Sequence, residues 1–443
     1  MSTLSTVPYA NLQFTDSVTG KFMFTDCADK DAFYRLRVSK PVSVYEGSTI
    51  YDSNTIFFDN DIRGSASITG PGTSAAMTLT VTGSTVNDYA ARQSHFYAHY
   101  QPGKSMSAMF SFSFGAITPG IVKRVGLYDV DNTLNINNPL NGILLEQSSL
   151  GLTWYIYKGD GTFQSASQAS WNVDPLNGSG PSGFNLTTAL AEKNLLGFVD
   201  LEWLGVGRVR VGFFLNGVPV ICQVFNNTQF SEPYLNNPFL PIRYEVRRVS
   251  GSQTGTMNAI CCSIISEGGF DVIGVVHSLR SPLPVLVNNS AIVSLLAIRL
   301  TQNHPRSILS PISVEIASDI GGNANAFYST YLWRPSPLAT IPAGWTAVNT
   351  TVGGSGSFVE YNTSNTFYTT MNSDVNTNGA ICIKIDEGAI SSIAKSSFQF
   401  ISRSLCIAQS NINKSNRDII VVVINNTTPN SRNFTALMTW REI

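Results

Sequence analysis

Carboxylates two residues apart and histidines four apart are the first places in this chain where chemistry could occur. Asp200 and Glu202 share one face of the alternating segment Phe198–Trp203. Same-face neighbours on a strand lie roughly 7 Å apart, inside the ~5–9.5 Å separation of carboxyl pairs that cleave glycosidic bonds. Exposed strand faces carry such pairs without catalysing anything, so both are expected to face solvent or a neighbouring subunit. Trp203, on the other face, is expected in the core. His95 and His99 flank Phe96 and Tyr97 without a Gly-x-Ser-x-Gly nucleophile, and read as surface or interface histidines. Gln101-Pro-Gly-Lys-Ser105 ends like a phosphate-binding loop. However, Ala98 stands where its first glycine belongs, and the strand-like Met106–Phe114 follows in place of a helix, so a turn is expected. Asp59-Asn60-Asp61 with Gly64 begins like a calcium loop, but Arg63 and Gly70 stand where ligands are needed; Asp129–Asn132 fails likewise at Leu134. The site assignment is therefore catalytic none, cofactor-binding none and metal none, and the chain is expected not to be an enzyme.

Composition points the same way. The 443 residues are 43% hydrophobic and 11% aromatic, enough to fill large cores. Only 13% are charged, about half the usual share, so the polar surface is made of Ser, Thr, Asn and Gln. Such side chains suit close uncharged contacts and glycans. With a net charge of −1 and scattered Lys and Arg, no basic patch marks nucleic acid as a partner. No signal-peptide pattern opens the chain, and runs such as Ile419–Ile424 are far shorter than the ~20 residues of a membrane helix. A soluble, cytoplasmically made protein with no membrane partner is expected. The cysteines at 27, 222, 261, 262, 382 and 406 have no CxxC spacing and read as buried free thiols. Ten Asn-x-Ser/Thr sequons, among them Asn177, Asn226, Asn349 and Asn433, read as compositional.

The periodicity is that of strands. Phe110, Phe112 and Phe114 alternate with serines, Leu152–Tyr157 is β-branched and aromatic before the turn at Gly159-Asp160-Gly161, and strands flank Gly205–Gly207. Asn216-Gly217 marks a tight hairpin into Val218–Phe225. Arg208 and Arg210 share one face, exposed or interfacial. Helical patterns are scarce, Thr187–Asn194 being the main candidate. Further strands are expected at Ala291–Leu300, Ile312–Ile316, Ala326–Trp333, Phe398–Ile407, Asp418–Ile424 and Ala436–Trp440. These patterns predict an all-β chain: an arm or edge strands over 1–45, a jelly-roll β-sandwich over 46–269, and a second, smaller β-sandwich domain over 270–443.

Several stretches in order carry a resemblance: Tyr97–Ser105, Val122–Asp129, Asn141–Glu146, Trp171-Asn172, Gly178–Gly183, Asp200–Phe214, Leu240–Glu245, Ser266–Gly269 and Thr439–Glu442. Together they resemble a family of uncharacterised virion structural proteins of tailed phages and large DNA viruses. The central segment also resembles a lectin-like (concanavalin-type) jelly roll, whose calcium and sugar ligands have no residue-by-residue match here. The resemblance implies a capsid-surface, spike or fibre component located in the virion, acting by assembly and binding. Its implied partners are copies of itself, a trimer being favoured, other capsid or virion proteins, and host glycans. The alternatives are a carbohydrate-binding host-attachment module and a glycan-degrading virion enzyme.

Overall fold

Alternating apolar residues force the chain into strands that must bury one face, and the result is two all-β units. In this computed structural model, residues 40–130, 139–186, 193–269, 274–302, 304, 307–318, 326–348, 356–390, 407–408 and 417–442 are described. The chain divides into compact units Met1–Asp271 and Val272–Ile443.

The first unit contains β1 (Val42–Gly47), β2 (Phe58–Arg63), β3 (Ala66–Thr69), β4 (Met77–Val81), β5 (Tyr89–Ser94), β6 (Ser105–Ser113), β7 (Ile121–Val130) and β8 (Pro139–Ser148). It continues with β9 (Gly151–Lys158), β10 (Phe163–Ser167), β11 (Leu195–Leu201), β12 (Val209–Leu215), β13 (Val218–Phe225), β14 (Ile242–Arg248) and β15 (Gly255–Glu267). One sheet runs β13-β12-β11-β6-β15-β4-β3, with β1 also on β15; the other runs β10-β9-β8-β7-β14-β5-β2. The two orders match position by position. The chain passes between facing positions at β2–β3, β4–β5, β6–β7 and β14–β15, and also changes sheet at β1–β2, β5–β6, β10–β11 and β13–β14, which is the nested crossover of a jelly roll. Its core interleaves Phe110, Phe112, Val199 and Phe213 with Val125, Leu145, Trp154 and Tyr244, and Trp154 meets Phe213 at 6.2 Å between ring centroids.

The β12–β13 hairpin follows the sequence reading. Leu215 faces Val218, and Asn216 and Gly217 between them have φ of 53° and 80°, a two-residue turn with both central residues left-handed. β1 opens the described chain as an edge strand paired to the end of β15.

The second unit contains β16 (Val275–Arg280), β17 (Val285–Val287), β18 (Ile292–Leu300), β19 (Ile308–Ser318), β20 (Ala326–Arg334), β21 (Thr346–Ala347), β22 (Val359–Asn362) and helix α1 (Phe367–Asn378). Then come β23 (Ile381–Ile390), β24 (Ile407–Ala408), β25 (Ile419–Asn426) and β26 (Arg432–Glu442). A sheet ordered β16-β26-β19-β24 faces one ordered β21-β22-β18-β25-β20-β23. The core between them includes Leu296, Ile298, Val422 and Ile424 from one side and Val314, Met438 and Trp440 from the other.

Helix α1 is an element the sequence reading missed. Its Thr- and Asn-rich sequence has weak helix propensity, and tertiary contacts hold it instead. Ser294 Oγ on β18 accepts the Phe367 N–H at 3.1 Å, and Gly379 closes the C-terminus at φ 68°. Phe367 and Met371 bury against Trp333, Val421 and Val423. Asp374 accepts hydrogen bonds from Trp333 Nε1 at 3.1 Å, the Ser336 N–H at 2.9 Å and Asn378 Nδ2 at 2.9 Å. Burial pushes the Asp374 carboxyl up, but the Ser336 hydroxyl, which also donates to it, together with these bonds outweighs burial and holds its pKa below the ordinary value. The candidate helix at Thr187–Asn194 lies outside the described residues over 187–192, as does the expected strand at Phe398–Ile407 apart from Ile407. No described helix is long and apolar enough to cross a membrane.

The hairpin supplies a stability test. A Cβ on Gly217 would meet nothing within 4 Å, so the cost of a β-branched residue there comes from its φ of +80° alone. Gly217→Val is expected to destabilise the protein by about 1–3 kcal/mol, read as a lower denaturation midpoint with an unchanged denaturant slope.

Candidate functional site

The site is built on the outward face of the first unit's seven-stranded sheet. On β14, Ile242, Tyr244 and Val246 point into the core, so alternation sends Arg243, Glu245 and Arg247 to the other face. All three are buried nonetheless. Glu245 faces Arg124 on β7, and Arg124 faces Glu146 on β8. Glu245 accepts from Arg243 Nη2 at 2.7 Å, Arg247 Nε at 3.0 Å and Arg124 Nη1 at 3.3 Å; Arg124 Nε also donates to Glu146 at 2.8 Å. Burial alone would raise the Glu245 carboxyl. Arg247, Arg243 and Arg124 outweigh it and hold its pKa well below the usual carboxylate range. Charges taken this far from water persist only when each is paired.

Beside this network lies an aromatic platform. Tyr155 and Tyr157 follow Glu146's side of the sheet across β9, and Phe163 on β10 stands opposite Tyr157. Ring centroids are 5.5 Å apart for Tyr155–Tyr157, 5.6 Å for Tyr155–Phe163 and 5.3 Å for Tyr157–Phe163. Tyr157 is buried among Tyr128, Val130 and Leu144, while Phe163 is 55% exposed at the rim. Burial, then the Glu146 charge, raises the Tyr155 hydroxyl's pKa, so it keeps its proton and can donate a hydrogen bond. Apolar rings with a hydroxyl alongside, Phe163 tilted 66° to Tyr155 and 38° to Tyr157, can hold a ring that is apolar on one face and polar at its edge.

The carboxylates singled out in the sequence sit elsewhere, and they are not exposed. Asp200 and Glu202 are buried, a correction to the sequence reading. Asp200 stands directly opposite Arg210 and Ser107 on the flanking strands. It accepts from Arg210 Nε at 2.9 Å and Ser105 Oγ at 3.2 Å, and Phe198, Ile221 and Val224 form an apolar cluster on the same sheet face. Arg210 is thus an ion-pair partner inside the protein, while Arg208 precedes β12 and is half-buried. Trp203 is only half-buried, because β11 ends at Leu201 and the alternation ends with it; its Nε1 donates to Leu235 O at 3.0 Å.

His95 and His99 are buried too, against expectation. His95 Nδ1 lies 2.9 Å from Asp59 Oδ2, and Ala98 bridges Leu240, which brings Phe239 to 4.3 Å from the His99 ring. Burial pushes His99 down to about 4, so it is neutral at neutral pH. Asp59, Asn60 and Asp61 lie along β2, with Asn60 taking Arg92 Nη1 at 3.0 Å and Asp61 taking the Tyr89 hydroxyl. Gln101–Lys104 is a turn closed by Lys104 N–H to Gln101 O at 3.1 Å. Asp129 is buried on β7, while Asp131 lies outside the described residues. Cys222 and Cys262 are buried free thiols; Cys261 and Cys382 are free but only half-buried, and Cys27 and Cys406 lie outside the described residues. Asn177 and Asn226 are exposed, Asn433 is half-buried, and Asn349 lies outside the described residues. The platform escaped the sequence reading because Leu152–Tyr157 signalled only a strand; pairing with Phe163 requires the β9–β10 hairpin.

No family model matches the chain, and no curated protein matches it. Among solved structures it is similar to peanut lectin with a bound peptide, at 12% identity and TM-score 0.31, covering 52% of this chain and 98% of that one. It is similar to a legume lectin-like domain from Entamoeba histolytica at 8% identity and TM-score 0.29, covering 50% and 97%. A Bacillus licheniformis beta-glucanase is matched at 11% identity and TM-score 0.30, covering 50% and 96%. The jelly-roll assignment rests on the sheet order described above.

Glu245→Gln should leave three guanidiniums around a neutral amide and destabilise the protein by about 3–5 kcal/mol. A carboxyl whose folded pKa lies below its ordinary 4.5 contributes stability above that pH and loses it as pH falls. Stability measured from pH 7 down to pH 2 is therefore expected to drop less steeply below pH 4.5 in Glu245→Gln than in the unmutated protein.

Proposed function

We propose that this chain is a non-catalytic binding and assembly protein, a capsid-surface, spike or fibre component of a virus particle that contacts glycans. The observation that carries the glycan reading is the three-ring platform of Tyr155, Tyr157 and Phe163, with its rim exposed and its polar border fixed by the Arg124–Glu146–Glu245 network. The apolar C–H face of a pyranose ring packs on the exposed Phe163 ring, while its hydroxyls meet the Tyr155 hydroxyl. The Asp200–Arg210 ion pair supports the non-catalytic reading, because that carboxylate is buried and engaged by groups inside the protein. The virion location is supported by the family resemblance and by the charge-poor, Ser/Thr/Asn-rich composition.

Glycan-array binding of the full chain tests the first part. Phe163→Ala is expected to weaken carbohydrate binding about tenfold or more with little change in melting temperature. A protein that binds no glycan, or binds as well without the Phe163 ring, would refute the reading.

Assembly is tested separately. The charge-poor composition favours broad uncharged contacts, and the edge strands of the sheets carry backbone groups that a second copy can cover. A homo-oligomer, with a trimer favoured, is the expected result of light scattering at rising concentration. A monomer throughout, together with absence from purified particles, would sink the assembly reading.

A further inference from the structure

The second unit holds a groove that the platform in the first unit does not account for. On β20, Phe327, Ser329 and Tyr331 face away from the core, whereas Tyr328 and Leu332 face into it. Among the described residues, helix α1 covers the neighbouring part of that sheet face at Trp333 and Val421 and stops short of the rest. The remainder is a groove of about 450 Å³, with Tyr368 of α1 on one wall and Lys384 and Glu387 of β23 on the other. Val423 and Asn425 of β25 complete its floor.

Three features of the lining narrow the occupant. Aromatic surface comes first: Phe327 is 52% exposed, and Tyr331 and Tyr368 lie 6.3 Å apart at 47°. Polar groups come second, from the Asn425 amide and the Ser329 hydroxyl among those rings. Charge is the third. Lys384 Nζ pairs with Glu387 Oε2 at 2.8 Å, so the groove presents one cation and one anion that cancel. The volume lies within the roughly 300–1,000 Å³ of small-molecule sites. An anionic ligand would need an uncompensated cation here, and a purely apolar one would strand the amide and the ion pair. A neutral sugar ring meets all three conditions.

We propose that this groove is a second carbohydrate site, taking successive neutral pyranose units of a glycan or polysaccharide, one with its apolar face on Phe327 and a further one on Tyr331. The proposal deepens the glycan reading but rests on its own residues in the other unit. Hydroxyl-radical footprinting of the full chain distinguishes the two, with cellohexaose, maltohexaose and N-acetylchitohexaose as neutral probes and a sialylated oligosaccharide as the anionic one. At least one neutral probe is expected to protect Phe327 and Tyr331, and Phe327→Ala is expected to weaken that probe's binding about tenfold. Phe327 is half in solvent, so its truncation should leave the melting temperature nearly unchanged. Protection confined to Tyr155 and Phe163 would overturn the groove and leave the platform standing. Protection confined to Phe327 and Tyr331 would support the groove and overturn the platform. Preference for the sialylated probe at Phe327, or binding indifferent to Phe327→Ala, would overturn the proposal.

Discussion

A carboxylate held among three guanidiniums in the middle of a sheet constrains the first unit more tightly than any other interaction described. Glu245 can remain ionised in that place only while Arg124, Arg243 and Arg247 stay within hydrogen-bond reach. Arg243 and Arg247 come from its own strand, but Arg124 comes from β7 and is fixed in turn by Glu146 on β8. Three strands must therefore keep one register, since a one-residue slip would put Arg124 on the core side and leave the carboxylate short of a partner. That register also sets Val125 and Leu145 facing the core and Leu144 on the outer face against Tyr157.

The second unit meets the same need, covering the outer face of a sheet, by different means. Apolar contact with α1 closes part of that face, and Asp374 anchors the helix through Trp333 and Ser336. The helix is short, so among the described residues the sheet beyond it is uncovered beside Tyr368. A groove results where the cover stops. In the first unit the polar network occupies the comparable position, and the aromatic rim is what remains accessible.

Both surfaces combine apolar rings with charged side chains held in ion pairs. Apolar rings beside polar groups favour ligands that are apolar on one face and rich in hydroxyls at the edge. The composition is consistent with this: a chain with so few charged residues pairs several of them with one another, at Asp200–Arg210, Arg299–Glu360 and the Glu245 network.

Local structure is what the residues dictate on their own. Phe110, Phe112 and Phe114 alternate with serine and form a strand with those rings in the core, and Asn216-Gly217 makes its tight turn because only such residues readily accept positive φ. The strands at Ala291–Leu300, Ala326–Trp333 and Asp418–Ile424 are likewise legible from their own side chains. What covers each face, by contrast, depends on partners that only folding brings together. Alternation places Asp200 on the face of β11 away from the core, but shows neither that Arg210 and an apolar cluster enclose that face, since those partners lie on strands paired later, nor that the strand stops at Leu201, before Glu202. The same holds for His95 and His99, buried by segments remote in sequence. Helix α1 has little propensity of its own and exists because Ser294, Trp333 and Ser336 reach it from elsewhere in the fold. The platform and the groove belong to this second kind: each joins rings from separate elements, and a distance between elements is not written in either one.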